Sequence, residues 1–112
     1  MSKLSELKKT IFQGKFPNKF PEFSGADLVI TSNNKQRHKE GDIVVYSKHA
    51  PALSWLVNEL KNIYASDLNY QNKFDFYPYI GELINETLIR EELIFETMLH
   101  VVNQIENDWG ER

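Results

Sequence analysis

The sequence contains no cysteine. This absence excludes disulfide scaffolds, cysteine-ligated zinc sites, iron–sulfur clusters and thiol nucleophiles. No apolar run approaches the roughly 18 residues that a membrane-spanning helix needs. Residues 1–6 also lack the apolar stretch that is typical of a secretory signal. We therefore expect a cytoplasmic protein that does not associate with membranes.

Glycine is scarce as well, with five residues in the chain. No glycine-rich loop is available to cradle a phosphate, and the common nucleotide-binding, nucleophile-elbow and zinc-protease motifs are missing. Ser47 and His49 are close in sequence, but an extended chain does not orient such a pair for nucleophilic catalysis. We therefore expect no enzymatic activity and no cofactor.

The composition is that of an ordinary globular protein. The chain has 112 residues, of which 41% are hydrophobic and 26% are charged, and this predicts one compact domain over residues 1–112. The net charge of −3 is unevenly distributed. Residues 1–50 carry nine Lys/Arg and five Asp/Glu, whereas residues 51–112 carry four and eleven. Such asymmetry can steer a charged partner.

Apolar spacing predicts a helix over about residues 3–13, with Gly14 as its stop. The Phe- and Pro-rich residues 15–25 are predicted to form a loop whose Phe rings pack on the core. Residues 28–31 and 42–46 are short β-branched runs and predict two strands. The natural pairing for them is antiparallel, with the polar residues 32–41 as a long hairpin loop.

Three further helices are predicted. One begins near Pro51, a second begins near Pro78, and the longest extends from Arg90 to Trp109. Met98 and Val101 belong to an apolar stripe on the last helix and are expected to be buried. The predicted fold class is α+β, helix-rich, in the order α-β-β-α-α-α, with a small antiparallel β-ribbon packed on helices.

The stretch from Tyr64 to Glu96 interleaves aromatic and acidic residues, with six aromatics in residues 64–79. Tyrosine supplies a large rigid ring with a polar tip, and surrounding carboxylates would attract a basic partner. The competing interpretation is that the rings serve the core of a small domain. The candidate partner-binding residues are Tyr70, Asp75, Tyr77, Tyr79, Glu82, Glu86, Glu92 and Glu96.

Two other patterns are candidate binding sites. Lys35, Arg37 and Lys39 in loop 33–39 could contact nucleic-acid phosphates, with Tyr46 and Trp55 as stacking surfaces, although a solvated hairpin tip explains the same residues. Glu92, Glu96 and His100 share a helical face that could hold a divalent ion. No second motif supplies the remaining ligands, so we expect no metal site.

Ser66-Asp67-Leu68 and Phe76-Tyr77-Pro78 resemble the acidic, tyrosine-bearing patch of bacterial nuclease-toxin immunity proteins. The resemblance covers these residues only, and the β-ribbon departs from the all-helical colicin-type members. It implies a class of function and assigns no residue role.

We therefore expect a small acidic intracellular inhibitor, of toxin-immunity or phage anti-host type. It would dock a basic protein, such as a nuclease or nucleic-acid-binding enzyme, through an acidic–aromatic face. The alternatives are a nucleic-acid-associated protein that uses loop 33–39, and a structural subunit of a phage or larger assembly.

Overall fold

The computed structural model describes residues 3–25, 27–35, 37–64, 76–88 and 93–109. In chain order, the elements are helix α1 (Lys3–Phe12), strands β1 (Ser24–Gly25), β2 (Leu28–Thr31) and β3 (Ile43–Tyr46), and helices α2 (Ala50–Tyr64), α3 (Phe76–Leu88) and α4 (Ile94–Trp109). The helix-rich α+β class is confirmed, and the structure adds β1 to the predicted elements.

The helices form where the apolar spacing predicts them, except that the last one begins at Ile94 and does not include Leu93; the rest of its predicted start, residues 90–92, lies outside the described residues. Met98 and Val101 on α4 are fully buried, as the stripe predicts. Helix α1 ends in a Schellman motif. The N–H of Gly14, whose φ is 72°, donates to Ile11 O at 2.9 Å, and the N–H of Lys15 donates to Thr10 O at 3.1 Å. The left-handed backbone at this turn favours glycine over other residues.

The predicted antiparallel pairing of the two longer strands is wrong. β3 pairs with β2 in parallel, in a register that opposes Leu28 to Ile43. β1 pairs antiparallel with the other edge of β2, so the order is β1-β2-β3. Residues 32–42 therefore form a crossover that carries the chain back to the start of β2, and not a hairpin loop. The N–H of Ile43 donates to Asp27 O at 2.9 Å and so fixes this register.

The parallel arrangement agrees with the burial of β2. All four of its side chains are buried, which is the pattern of a strand covered on both faces. Leu28 and Ile30 belong to the main core, whereas Val29 lies on the opposite face and lines a cavity with Arg37 of the crossover.

Helices α2 and α3 contact the sheet, and α4 packs against α3 and α1. The Phe-rich loop is attached to this assembly, because the Phe16 ring stacks on Trp55 and the Phe23 N–H donates to Ser54 Oγ at 2.9 Å. This confirms the prediction that Phe rings of the loop pack on the core. None of the helices within the described ranges is both long and apolar enough to cross a membrane.

Candidate functional site

Helix α3 is held against the sheet by one side. Tyr77, Gly81 and Asn85 are spaced at i, i+4 and i+8 and therefore share that side. A Cβ atom at Gly81 would lie 2.6 Å from Leu28 Cδ1 and 2.8 Å from Ile43 Cγ2, so only glycine allows this approach. Asn85 Nδ2 donates a hydrogen bond to the backbone carbonyl oxygen at position 44, at 3.0 Å.

The opposite side of α3 carries Tyr79, Glu82 and Glu86, which are spaced at i, i+3 and i+7. Both glutamates are exposed, and Tyr79 is half-buried with its ring packed against the edge of the core. We call these three residues the acidic α3 face. Three of the candidate residues predicted from the sequence therefore lie together on one side of α3.

The other candidates lie elsewhere. Tyr77 does not belong to the acidic α3 face, because it points to the sheet side, where its ring lies 5.2 Å from that of Phe23 between centroids. Glu96 is exposed on α4, the helix that packs beside α3. Tyr70, Asp75 and Glu92 lie outside the described residues.

The aromatic stretch is divided between core and surface. Tyr64 is fully buried and Phe76 is 4% exposed, and their ring centroids lie 6.1 Å apart. The interpretation that these rings serve the core is therefore confirmed for both residues. The remaining ring on the outer side of α3 is that of Tyr79, which is only half-buried.

The charges on the acidic α3 face do not help the helix to form. Residues 76–88 contain no Lys or Arg, and like charges at i, i+4 destabilise a helix by about 0.2–0.5 kcal/mol. Glu86 also lies in the last turn of α3, where the helix dipole disfavours a carboxylate. Helix stability therefore does not account for this pair of glutamates.

The basic candidates lie on the crossover. Lys35, Arg37 and Lys39 are all exposed. Arg37, His38 and Lys39 line a cavity of about 500 Å³ over the Val29 face of the sheet. Asp27 and Asp42 line the same cavity, and an Asp42 carboxylate oxygen accepts the Lys39 N–H at 2.9 Å. The positive charges of Arg37 and Lys39 therefore share the cavity with the carboxylates of Asp27 and Asp42.

The aromatic residues proposed to stack on a nucleic-acid base, Tyr46 and Trp55, do not line the cavity that contains Arg37. Tyr46 is 56% exposed at the end of β3, and Trp55 lines a different groove, between α1 and α2. A base stacked on Trp55 would thus lie outside the cavity that Arg37 lines.

Glu22 anchors the beginning of the crossover, a contact that no local sequence pattern indicates. Its carboxylate accepts hydrogen bonds from Ser32 Oγ at 2.7 Å, from the Ser32 N–H at 3.1 Å and from Thr31 Oγ1 at 3.1 Å. The two bonds from Ser32 are the main reason that the pKa of Glu22 is lowered. Glu22 therefore holds the end of β2 in place for the turn into residues 32–42.

Two polar groups near the helices are unusual. Burial, reinforced by the positive charge of Lys48, lowers the pKa of His49 just before α2. The hydroxyl of Thr97 on α4 is buried without a hydrogen-bond partner among the described residues. Within the same described ranges, no group of three or more His, Asp or Glu side chains is placed to hold a metal ion.

No family model matches the chain, and neither a curated protein nor a solved structure is significantly similar to it. A function can therefore be inferred only from the geometry of the chain itself.

Proposed function

We propose that this protein is a small cytoplasmic inhibitor that binds a basic protein partner through the acidic α3 face, in the manner of a toxin-immunity or phage anti-host protein. The observation that carries the proposal is the exposure of Glu82 and Glu86 beside the half-buried Tyr79, on a helix whose inner side is fixed by Gly81 and Asn85.

The chemistry of this face suits a cationic surface. Glu82 and Glu86 attract a basic partner over a distance and speed the encounter, an effect that salt screens. Tyr79 adds a rigid ring that loses little conformational entropy on binding, because its packing against the core already restrains it. Glu96 on the neighbouring helix would extend the negative surface.

Inhibition then needs no catalytic group on this chain. A nuclease or other nucleic-acid-binding enzyme carries a cationic cleft that binds phosphates. A carboxylate-rich helix placed over that cleft would compete for the same positive charges. The proposed partner is therefore a basic enzyme of this type.

The test begins with affinity capture of the partner from native cell extract, followed by binding kinetics with purified proteins. We expect Glu82→Lys/Glu86→Lys to lower the association rate by about ten-fold or more, with a weaker dependence on salt. Glu40→Lys is the matched charge-reversal control, because Glu40 is exposed on the crossover.

Tyr79→Ala should instead increase the dissociation rate, since it removes contact area and leaves the charge unchanged. If the double variant and Glu40→Lys bound the partner as the wild type does, the acidic α3 face would not be the interface.

A second candidate function uses the crossover cavity. Arg37, His38 and Lys39 line it together, and this favours a contact with nucleic-acid phosphates. This alternative predicts that single-stranded DNA or RNA binds with an affinity that falls steeply with salt. It also predicts that Lys35→Gln/Arg37→Gln/Lys39→Gln abolishes that binding. No binding at low salt would remove this candidate.

A further inference from the structure

A groove of about 500 Å³ separates helices α1 and α2. The buried side chains Leu7 and Ile63 form its apolar part, and the indole of Trp55 lines it. Glu6 from α1 and Glu59 from α2 bring a carboxylate from each side. The groove thus combines an aromatic surface, an apolar floor and negative charge, and helices other than α3 build it.

The groove is preformed by contacts on both helices. Helix α1 packs mainly against α4, where Lys8 Nζ pairs with Glu106 Oε1 at 2.8 Å. The packing of α1 against α2 is less extensive. Trp55 is also restrained, since its ring stacks on Phe16 with centroids 6.3 Å apart and planes at 30°. A ligand would therefore meet an aromatic surface that is already positioned.

We propose that this groove binds an arginine side chain of a protein ligand. The aliphatic part of arginine fits Leu7 and Ile63, and its planar guanidinium stacks favourably on an indole. Its five N–H donors can serve carboxylates from two directions at once. Glu6 and Glu59 line the groove from opposite helices and would accept them there.

The charge of the groove selects a cation. Lys3 also lines it, so the two carboxylates are opposed by one ammonium group and the net charge is negative. Asn62 adds a neutral amide at the rim. An acidic ligand would be repelled, and a neutral one would leave the excess negative charge without a counterion. Lysine would satisfy the charge, but it lacks the planar group that stacks on Trp55.

The first experiment uses the full chain and small probes. Nα-acetyl-arginine amide is titrated while the indole N–H resonance of Trp55 is followed by NMR, with Trp55→Phe to assign that signal. We expect a saturable shift. The neutral isostere Nα-acetyl-citrulline amide should bind about ten-fold more weakly, and the lysine derivative should also bind more weakly. No saturable shift, or equal binding of the citrulline derivative, would overturn the proposal.

Variants then locate the site. Glu6→Gln/Glu59→Gln should lower the affinity for the arginine probe by about ten-fold, whereas Glu40→Gln should leave it unchanged. Circular dichroism and the unfolding midpoint verify that each variant is folded. An unchanged affinity in the folded double variant would contradict the assignment. Glu82→Lys/Glu86→Lys should leave the arginine probe binding intact, so this proposal and the proposed function can fail separately.

Discussion

The side-chain amide of Asn85 donates a hydrogen bond to the backbone carbonyl of Val44, with 3.0 Å between Nδ2 and the oxygen. Val44 belongs to β3, an edge strand of the described sheet. The N–H groups of Ile43 and Ser47 are directed to β2, so the alternation of the ladder turns the Val44 carbonyl outward. Asn85 therefore covers the strand edge and fixes the rotation of α3 that directs the acidic α3 face outward.

Loss of this bond should destabilise the protein. Asn85→Ala leaves the half-buried Val44 carbonyl without its side-chain donor, which should lower the free energy of unfolding by about 1–3 kcal/mol. Urea denaturation measures the change. Asn103→Ala is the control, because Asn103 is exposed on α4 and its substitution should change the free energy of unfolding by at most about 0.5 kcal/mol in either direction. Equal effects of the two substitutions would show that the Asn85 bond adds no stability.

The close approach of α3 to the sheet predicts that Gly81→Ala is destabilising. Alanine is favoured over glycine inside a helix by about 1 kcal/mol. Here, however, the added methyl would overlap Leu28 and the β-branched Ile43. Overpacking of a core costs about 1–3 kcal/mol, so we expect the clash to exceed the gain and the thermal midpoint to fall. A raised midpoint would mean that α3 moves away from the sheet without cost.

The two buried threonines on α3 and α4 should respond in opposite ways to valine. Thr97 has a buried hydroxyl with no partner among the described residues, so Thr97→Val should stabilise the protein by about 1 kcal/mol. Thr87 is the matched control, since its Oγ1 donates to Leu83 O at 2.9 Å. Thr87→Val should be destabilising by about 0.5–1.5 kcal/mol. Denaturant midpoints of both variants test the contrast, and a loss of stability in Thr97→Val would reveal a partner for that hydroxyl.

Glu22 should make the stability depend on acid pH. Its pKa is lowered from 4.5 in the folded protein, chiefly by the hydrogen bonds from Ser32. The unfolded chain therefore takes up the proton first, and the contribution of Glu22 is present above its unfolded pKa and lost as the pH falls through the folded value. Glu22→Gln should flatten the pH dependence of the urea midpoint below 4.5. An identical acid profile in wild type and variant would contradict the role assigned to Ser32.

His49 should affect the stability of the protein at a higher pH than Glu22 does. Burial and Lys48 lower its pKa from 6.5, so the imidazolium is less favourable in the folded state than in the unfolded state. Stability should therefore decrease as the pH falls from 6.5 toward the lowered value. His49→Gln should remove that decrease while retaining the slope due to Glu22. NMR titration of the His49 ring protons gives the pKa directly, and a value at or above 6.5 would refute the prediction.

The helices could be predicted because their signals are local. The apolar spacing that buries Met98 and Val101, and the glycine that ends α1, lie within a few residues of the features they specify. The strand pairing could not be predicted in this way. It joins Leu28 to Ile43, and Glu22 accepts hydrogen bonds from Ser32 where the crossover begins; neither contact leaves a periodic signal. The two-residue strand β1 is likewise too short to show a pattern.

The candidate site, like the fold, could be predicted only where its signal is local in sequence. The spacing of Tyr79, Glu82 and Glu86 places them together on any helix. Which side of that helix faces outward depends on tertiary contacts of Gly81 and Asn85. Tyr77 illustrates the limit, because its contact with Phe23 bridges more than fifty positions of sequence. No spacing rule distinguishes it from the outward Tyr79.

The central claim is that the acidic α3 face is where a basic partner binds. The most direct measurement is the change in backbone ¹⁵N–¹H resonances of this protein on addition of its captured partner. If the acidic α3 face is the interface, the largest changes occur at Tyr79, Glu82 and Glu86. Changes confined to the crossover around Arg37 and Lys39, with α3 unaffected, would contradict it.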